Sequence, residues 1–212
     1  AGGVRTAGGP VTEGKRSTFQ AIRFLVLARP VFRAVDFHSS YAAAARARRH
    51  GADWNDHAER LSELDGRRRA LQREMTALSA THGEACAACK GGCCTEERFR
   101  DSLVDRVLQD PSQPNAAPRS LRSKERETHT EYAPLRTSKA AQAAPREYCP
   151  NCTPQGCSLP ADQRPIQCLA YHCRASIAPL SAEECESGIR AVKGLMRVMI
   201  ETAALPRRAA RG

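Results

Sequence analysis

Four cysteines lie within nine residues of this chain, in the run Cys86-Ala-Ala-Cys89-Lys90-Gly91-Gly92-Cys93-Cys94. A Cys-x-x-Cys pair places two thiolates at the spacing that a tetrahedral ion or an iron–sulfur cluster needs, and the two glycines let the backbone fold back toward sulfur. Nine of the ten cysteines fall into this cluster and a second one, which consists of Cys149, Cys152, Cys157, Cys168 and Cys173. The sequence therefore predicts a metal-binding centre built from both clusters.

The adjacent pair Cys93 and Cys94 indicates how the two clusters combine. Side chains of adjacent residues tend to project apart, so these two thiolates do not fit comfortably around one mononuclear ion. One of them then faces away from the ion that Cys86 and Cys89 hold, and the nearest co-ligands are in the second cluster. Two neighbouring centres, or one multinuclear centre, shared between the clusters are expected.

Disulfides and redox-active thiols are the other uses of closely spaced cysteines. No stretch combines a basic start, an uninterrupted apolar run and a small-residue cleavage site, so no secretion signal is predicted. The predicted compartment is the cytoplasm, where metal binding is favoured over disulfides. The longest apolar run, residues 24–28, is far shorter than the roughly 20 residues of a membrane span, so no span is expected.

The predicted fold is mainly α: a small helical domain around an irregular cysteine-rich centre. Aromatic residues make up 5% of the chain and the mean hydropathy is −0.52, which predicts a modest core held together by metal. Residues 51–204 are predicted to form the domain, with an inserted loop at 111–147 that is rich in Pro, Ser, Ala and basic side chains. Residues 1–50 are predicted to be a basic, largely disordered or weakly helical arm, and residues 205–212 a tail.

The clearest helix signal covers residues 53–79. Its large apolar residues follow a 3-4 alternation, with one break at Arg68: Trp54, Leu61, Leu64, Leu71, Met75 and Leu78. Such a stripe packs on the helix's own domain, on a partner helix or on a second copy of the chain. A homo-oligomer formed through helix 53–79 is therefore one expectation, and packing within the domain is the favoured one.

Further helices are predicted on both sides of the second cysteine cluster. One covers residues 95–110, with acidic residues in its first turn and Pro111 at its end. The other covers residues 181–204, where Ser181 and Glu184 form a capping box. Its apolar stripe includes Cys185, which is predicted to be a core residue and not a ligand. Weaker signals predict a short helix that starts near Thr18 and ends near Pro30, followed by another over residues 42–47.

The net charge of +10 is concentrated at one end of the chain. Residues 1–50 carry nine basic and two acidic side chains, whereas residues 51–110 carry nine basic and twelve acidic ones. Such an arm is typical of a solvated tail, and also fits contact with nucleic acid or anionic lipid. A zinc-stabilised module that binds nucleic acid or protein through this arm is the alternative function.

The motifs around the cysteines resemble those of the YkgJ-type cysteine-cluster proteins, a family described as zinc- or iron-chelating domains. The resemblance covers residues 86–173, through Cys-x-x-Cys-x-x-x-Cys-Cys, Cys-Pro, Gly-Cys-Ser-Leu and Arg-Pro-Ile-Gln-Cys. It implies a ligand set of eight cysteines: Cys86, Cys89, Cys93, Cys94, Cys149, Cys157, Cys168 and Cys173. The chain has three residues between Cys89 and Cys93 where the family has two, and Cys152 is additional, so that either Cys149 or Cys152 fits the ligand position.

Zinc and iron both fit such a ligand set, because thiolates bind zinc and also hold iron–sulfur clusters. An iron–sulfur centre would point to electron transfer or redox sensing, and a zinc centre to a structural module that docks protein or nucleic acid. No phosphate-binding glycine loop or dinucleotide fingerprint is present, and no catalytic residue is assigned.

Overall fold

A computed structural model gives the architecture of the chain. The structure describes residues 11–50, 53–80, 102–110, 112, 152–153, 156–157, 159–160, 163–170 and 174–207. Within these ranges the chain is mainly helical, as the periodicity predicts.

The N-terminal part of the described chain is a long helical segment. Helix α1 (Val11–Val26) continues through a π-helical turn (Leu27–Val31) into helix α2 (Phe32–His50). The predicted helix end near Pro30 is wrong, because the π turn contains this proline. A proline in a helix lacks an N–H and crowds the preceding turn, and a π turn is wider than an α turn, which provides local room for it.

The remaining elements are two long helices and several short helices, turns and strands. Their bounds are a 3-10 turn (Trp54–His57), α3 (Ala58–Ala80), α4 (Leu103–Gln109), β1 (Cys152–Thr153), β2 (Gly156–Cys157), α5 (Ile166–Ala170), α6 (Arg174–Ile177), α7 (Ala182–Ala204) and a final 3-10 turn (Leu205–Arg207). The two strands form a small antiparallel hairpin. No helix among the described residues is long and apolar enough to cross a membrane.

Helix α7 lies at the centre of the core and packs against α1, α2 and α3. The predicted helix 181–204 and its capping box are confirmed: Ser181 Oγ accepts from the Glu184 N–H at 3.2 Å, and the Glu184 carboxylate accepts from the Ser181 N–H at 2.8 Å. Its predicted stripe is buried at Cys185, Ile189, Val192, Met196, Met199 and Ala203. Cys185 is a core residue, as predicted.

The apolar stripe of the predicted helix 53–79 also packs inside the chain. Trp54, Leu61, Leu64 and Met75 are buried, and α3 lies against α7. This face is therefore used within the domain. Arg68, which breaks the stripe in the sequence, is as buried as its apolar neighbours, with 1% of its surface exposed.

The segment predicted to be an arm outside the domain contributes to the core from Phe24 onward. Phe24, Ala28, Phe32 and Ala43 are buried against the rest of the chain. A Cβ at Gly188 of α7 would overlap the Phe24 ring, so the absence of a side chain there lets α1 and α7 approach closely.

The predicted helix 95–110 is shorter than expected. Ser102 is the N-cap of α4 and has an extended backbone conformation, with φ −69° and ψ 166°, so no continuous helix runs from residue 95 to 110. Ser102 and Asp105 form a capping box that the prediction missed. The predicted loop at 111–147 lies outside the described residues except for residue 112, and the predicted tail 205–212 begins as a 3-10 turn that contains Pro206.

Candidate metal centre

The predicted ligands fall mostly outside the part of the chain that the structure describes. Of the eight, the structure describes the backbone at Cys157 and the whole of Cys168. The others lie outside the described residues: Cys86, Cys89, Cys93, Cys94, Cys149 and Cys173. The additional cysteine, Cys152, is described in its backbone. The structure therefore describes two of the eight predicted ligands and the additional cysteine.

The hairpin brings two cysteine positions together. In its antiparallel register Cys152 is directly opposite Cys157, and Thr153 is opposite Gly156. Residues directly opposite each other on antiparallel strands have Cα atoms about 4.5–5.5 Å apart. The backbone thus places position 152, the additional cysteine, beside position 157, one of the eight predicted ligands.

Cys168 lies in α5 and is partly exposed. The helix starts directly after Pro165, whose fixed backbone angle suits the start of a helix, and the Cys168 N–H donates to the Pro165 carbonyl at 3.0 Å. A partly exposed thiol on a short, defined helix is suited to metal coordination.

The start of α5 is held from α4 by a buried carboxylate. Asp105 is 0% exposed, and its Oδ1 accepts from the backbone N–H of Ile166 at 2.9 Å. Its Oδ2 accepts from the N–H and the hydroxyl of Ser102, both at 3.1 Å. The same side chain therefore caps α4 and fixes the backbone two residues before Cys168.

A second anchor comes from α3. The Nε2 atom of Gln72 donates to the Arg164 carbonyl at 2.8 Å, and Gln72 is fully buried. The Oε1 atom of Gln72 in turn accepts from Nη1 of Arg68 at 2.8 Å. Asp65 completes the chain of contacts, because its Oδ1 accepts from Nε of Arg68 at 2.7 Å. The guanidinium of Arg164 donates through Nε to the Leu159 carbonyl at 2.9 Å, which closes the loop before α5.

A third anchor comes from α2. The Gln167 side chain donates through Nε2 to Oδ2 of Asp36, which is 4% exposed. Burial raises the pKa of Asp36, and hydrogen bonds from Gln167 and Ser102 oppose that rise. The other oxygen, Oδ1, is buried and has no hydrogen-bond partner among the described residues. Gln167 directly precedes Cys168, so three helices hold the segment that carries this thiol.

These anchors were not predicted from the sequence. The capping box of α4 could have been found, because Ser102 and Asp105 have the spacing of one. Arg68 has Asp65 three residues before it and Gln72 four residues after it, so helical spacing alone places both partners beside it. The contacts to residues 164–167 depend on how distant elements pack, and no local pattern indicates them.

Among the described residues no group of three or more His, Cys, Asp or Glu side chains is arranged to hold a metal ion. Of the predicted centre, the structure describes a hairpin with two cysteine positions and an anchored segment with a third. The rest of the predicted ligand set lies outside the described ranges.

The comparisons with known proteins add no relative. No protein-family model matches the chain, and no curated protein or solved structure is significantly similar to it.

Proposed function

We propose that this chain is a metal-chelating protein that binds zinc or an iron–sulfur centre through the cysteines of its two clusters. The proposed ligands are those of the predicted set, with Cys152 as the candidate that takes the position otherwise given to Cys149. The proposal rests on the dense cysteine motifs, on the resemblance they carry and on one structural observation, the register of the hairpin.

That register supports Cys152 because it puts the residue next to Cys157. Two cysteines with Cα atoms about 5 Å apart are close enough for both thiolates to reach one ion, since zinc–sulfur bonds are about 2.3 Å long. We therefore assign Cys152 and Cys157 to the same metal.

The anchored segment supports the assignment of Cys168. Metal sites depend on outer contacts that hold the ligands in place, and losing such a contact weakens metal affinity. Asp105, Gln72 and Asp36 provide contacts of this kind at Ile166, Arg164 and Gln167. A partly exposed thiol with a backbone fixed from three helices fits a ligand better than a structural core cysteine such as Cys185.

The bound metal would determine the use of the site. Zinc would supply structural cross-links between segments that are distant in sequence, and an iron–sulfur cluster would supply one-electron redox chemistry. In either case the chain's own contribution is to hold the thiolates and to offset their negative charge.

Metal analysis and a visible spectrum of the full chain, purified without oxygen, test the proposal. We expect bound zinc or iron, with broad absorption above about 400 nm if the centre is an iron–sulfur cluster. A colourless, zinc-loaded protein would exclude the electron-transfer role. A chain purified with neither metal, and unable to take up either one, would contradict the proposal.

A disulfide between Cys152 and Cys157 is the rival that fits the same register, because disulfides span Cα distances of about 4.4–6.8 Å. Thiol counting under denaturing conditions separates the two. Metal binding leaves both cysteines as free thiols once the metal is chelated, whereas the disulfide removes both from the count before reduction. The Cys152→Ser variant is the matched test, because it abolishes either arrangement. If the proposal holds, the variant loses bound metal; if the two cysteines form a disulfide instead, its metal content does not change.

A further inference from the structure

The first helical segment is apolar on two opposite faces. One face, with Phe24, Ala28 and Phe32, is buried in the core. The large hydrophobic residues among the described residues that are exposed include six from this segment and one from α7: Phe19, Ile22, Val26, Val31, Phe37, Tyr41 and Ile200. A surface helix normally has a polar face opposite its core face, so a second apolar face indicates a binding surface.

The exposed apolar residues recur at helical spacing along this segment. Phe19, Ile22 and Val26 are separated by three and four residues, and Phe37 and Tyr41 continue on the far side of the π turn with a spacing of four. Their exposed fractions run from 51% at Val26 to 68% at Phe37. From this point the apolar stripe means these seven exposed residues, and not the buried stripes of α3 and α7. A shallow cleft of about 470 Å³ is lined by Val31 and Ile200 of this stripe together with Pro30, Ala34, Val35, His38 and Ser39.

From residue 18 onward, the exposed charged side chains of α1 and α2 are basic. Between residues 18 and 49 the sequence has a single carboxylate, Asp36, and it is buried. Arg23, which lies over the Phe19 ring at 5.7 Å from its centroid, and Arg33 are exposed on this segment. On α7 the outward row that ends at Ile200 is also basic, and its members are Arg190, Lys193 and Arg197. The acidic residues of α7 are Glu183, Glu184 and Glu186 in its first turns and Glu201 near its end, and Glu201 pairs with Arg60 and Arg67 of α3.

The combination of exposed apolar residues and basic side chains favours one class of partner over the others. A second copy of the chain would bring two basic surfaces together, and like charges repel. A nucleic acid would use the arginines but would leave the exposed phenylalanines, isoleucines and valines in contact with water. An anionic bilayer uses both features, because phosphates pair with arginine and lysine while the apolar side chains enter the boundary between headgroups and acyl chains.

We propose that the apolar stripe and its basic rim are a docking surface for an anionic membrane, on which α1 and α2 lie parallel to the bilayer plane. This inference does not depend on the metal centre. The aromatic rings Phe19, Phe37 and Tyr41 lie toward the two ends of the stripe, as anchors at the interface, and the arginines and lysine of the rim contact lipid phosphate.

Vesicle flotation of the full chain tests the proposal. We expect binding to vesicles that contain phosphatidylglycerol and little binding to vesicles of phosphatidylcholine alone, with a decrease as salt is raised. The double variant Ile22→Ser/Phe37→Ser keeps the charge and removes two large apolar groups, so it should lower the partition coefficient by about tenfold or more. The Arg190→Gln/Lys193→Gln/Arg197→Gln variant should lose the preference for phosphatidylglycerol.

Ala70→Ser, at an exposed position of α3, is the control and should bind like the wild type. Circular dichroism checks that each variant folds, and metal content checks that the cysteine centre is unchanged. Absence of binding to phosphatidylglycerol vesicles at low salt would overturn the proposal. So would equal binding by the Ile22→Ser/Phe37→Ser variant, which would reduce the interaction to charge alone. Binding of an acidic amphipathic peptide by a chain that ignores vesicles would assign the stripe to a protein partner instead.

Discussion

The Oδ1 atom of Asp105 accepts a hydrogen bond from the backbone N–H of Ile166 at 2.9 Å, across 61 residues of sequence. This single contact joins the capping box of α4 to the first residue of α5, the helix that contains Cys168. A fully buried carboxylate is costly unless its oxygens are hydrogen-bonded, and both oxygens of Asp105 are. The stability of the domain and the placement of a candidate ligand therefore depend on the same side chain.

Replacement of Asp105 should lower the stability of the domain. Asp105→Ala removes the acceptor of the Ile166 N–H and half of the α4 capping box, so we expect a loss of about 2–4 kcal/mol in the free energy of unfolding. Asp105→Asn retains an acceptor and should recover part of that loss. Urea denaturation measures the change, and Asp56→Ala, at an exposed position, is the control and should change stability by less than about 0.5 kcal/mol. Equal stability of Asp105→Ala and the control would show that the contact to Ile166 has no energetic role.

Arg68 and Arg67 are neighbours in sequence and should differ strongly when removed. Arg68 is buried and bound to Asp65 and Gln72, so Arg68→Ala leaves buried polar groups without partners and should cost about 3–5 kcal/mol. Arg67 pairs with Glu201 at 3.0 Å but is largely exposed, so Arg67→Ala should cost less than about 1 kcal/mol. Thermal or chemical denaturation of the two variants makes the comparison. A similar cost for both would mean that the buried network does not stabilise the domain.

The parts of the fold that were predicted from the sequence are those specified by local patterns. Helix α7 has its capping box and its stripe within 23 residues, so its bounds and its buried face could be predicted. The sequence also placed the stripe of α3, but it left open whether that stripe meets α7 or another chain. The passage through Pro30 was missed, because a proline usually ends or kinks a helix, and no local pattern indicates the π turn that contains it. For the candidate site, the sequence predicted which residue type binds the metal. It did not predict the anchors at residues 164–167, because these depend on how α2, α3 and α4 pack around that segment.

Asp36 should make stability depend on pH. Burial raises the pKa of its carboxyl above the ordinary value of 3.8, so between the two pKa values the folded chain binds more protons than the unfolded chain. The free energy of unfolding therefore falls as pH rises through this interval, and the full penalty remains above it. Asp36→Asn keeps an acceptor for Gln167 without the charge, and should be more stable than the wild type at neutral pH. Denaturation across pH measures this, and the gain should shrink below pH 3.8, where the wild-type carboxyl is also protonated. A gain that does not change with pH would contradict the assignment of the effect to ionisation of Asp36.

Two glycines in helices should respond in opposite directions to the same substitution. A Cβ at Gly188 would overlap the buried Phe24 ring, so Gly188→Ala should destabilise the chain by about 1–3 kcal/mol by pushing α1 away from α7. Gly66 in α3 has nothing within 4 Å of its would-be Cβ, so Gly66→Ala should stabilise by about 0.5–1 kcal/mol through helix propensity. Melting temperatures compare the two variants. If Gly188→Ala is also stabilising, the close contact between α1 and α7 is absent in solution.

The most direct test of the metal-binding account is the metal content of Cys168→Ser measured beside that of Cys185→Ser. Cys168 lies on the segment held by Asp105, Gln72 and Asp36, whereas Cys185 is fully buried in the core and burial raises the pKa of its thiol, which makes it a poor ligand. Both variants of the full chain would be purified without oxygen and analysed by mass spectrometry for zinc and iron per chain. We expect Cys168→Ser to lose bound metal and Cys185→Ser to retain the wild-type content. Full retention of metal by Cys168→Ser, or an equal loss in Cys185→Ser, would contradict the account.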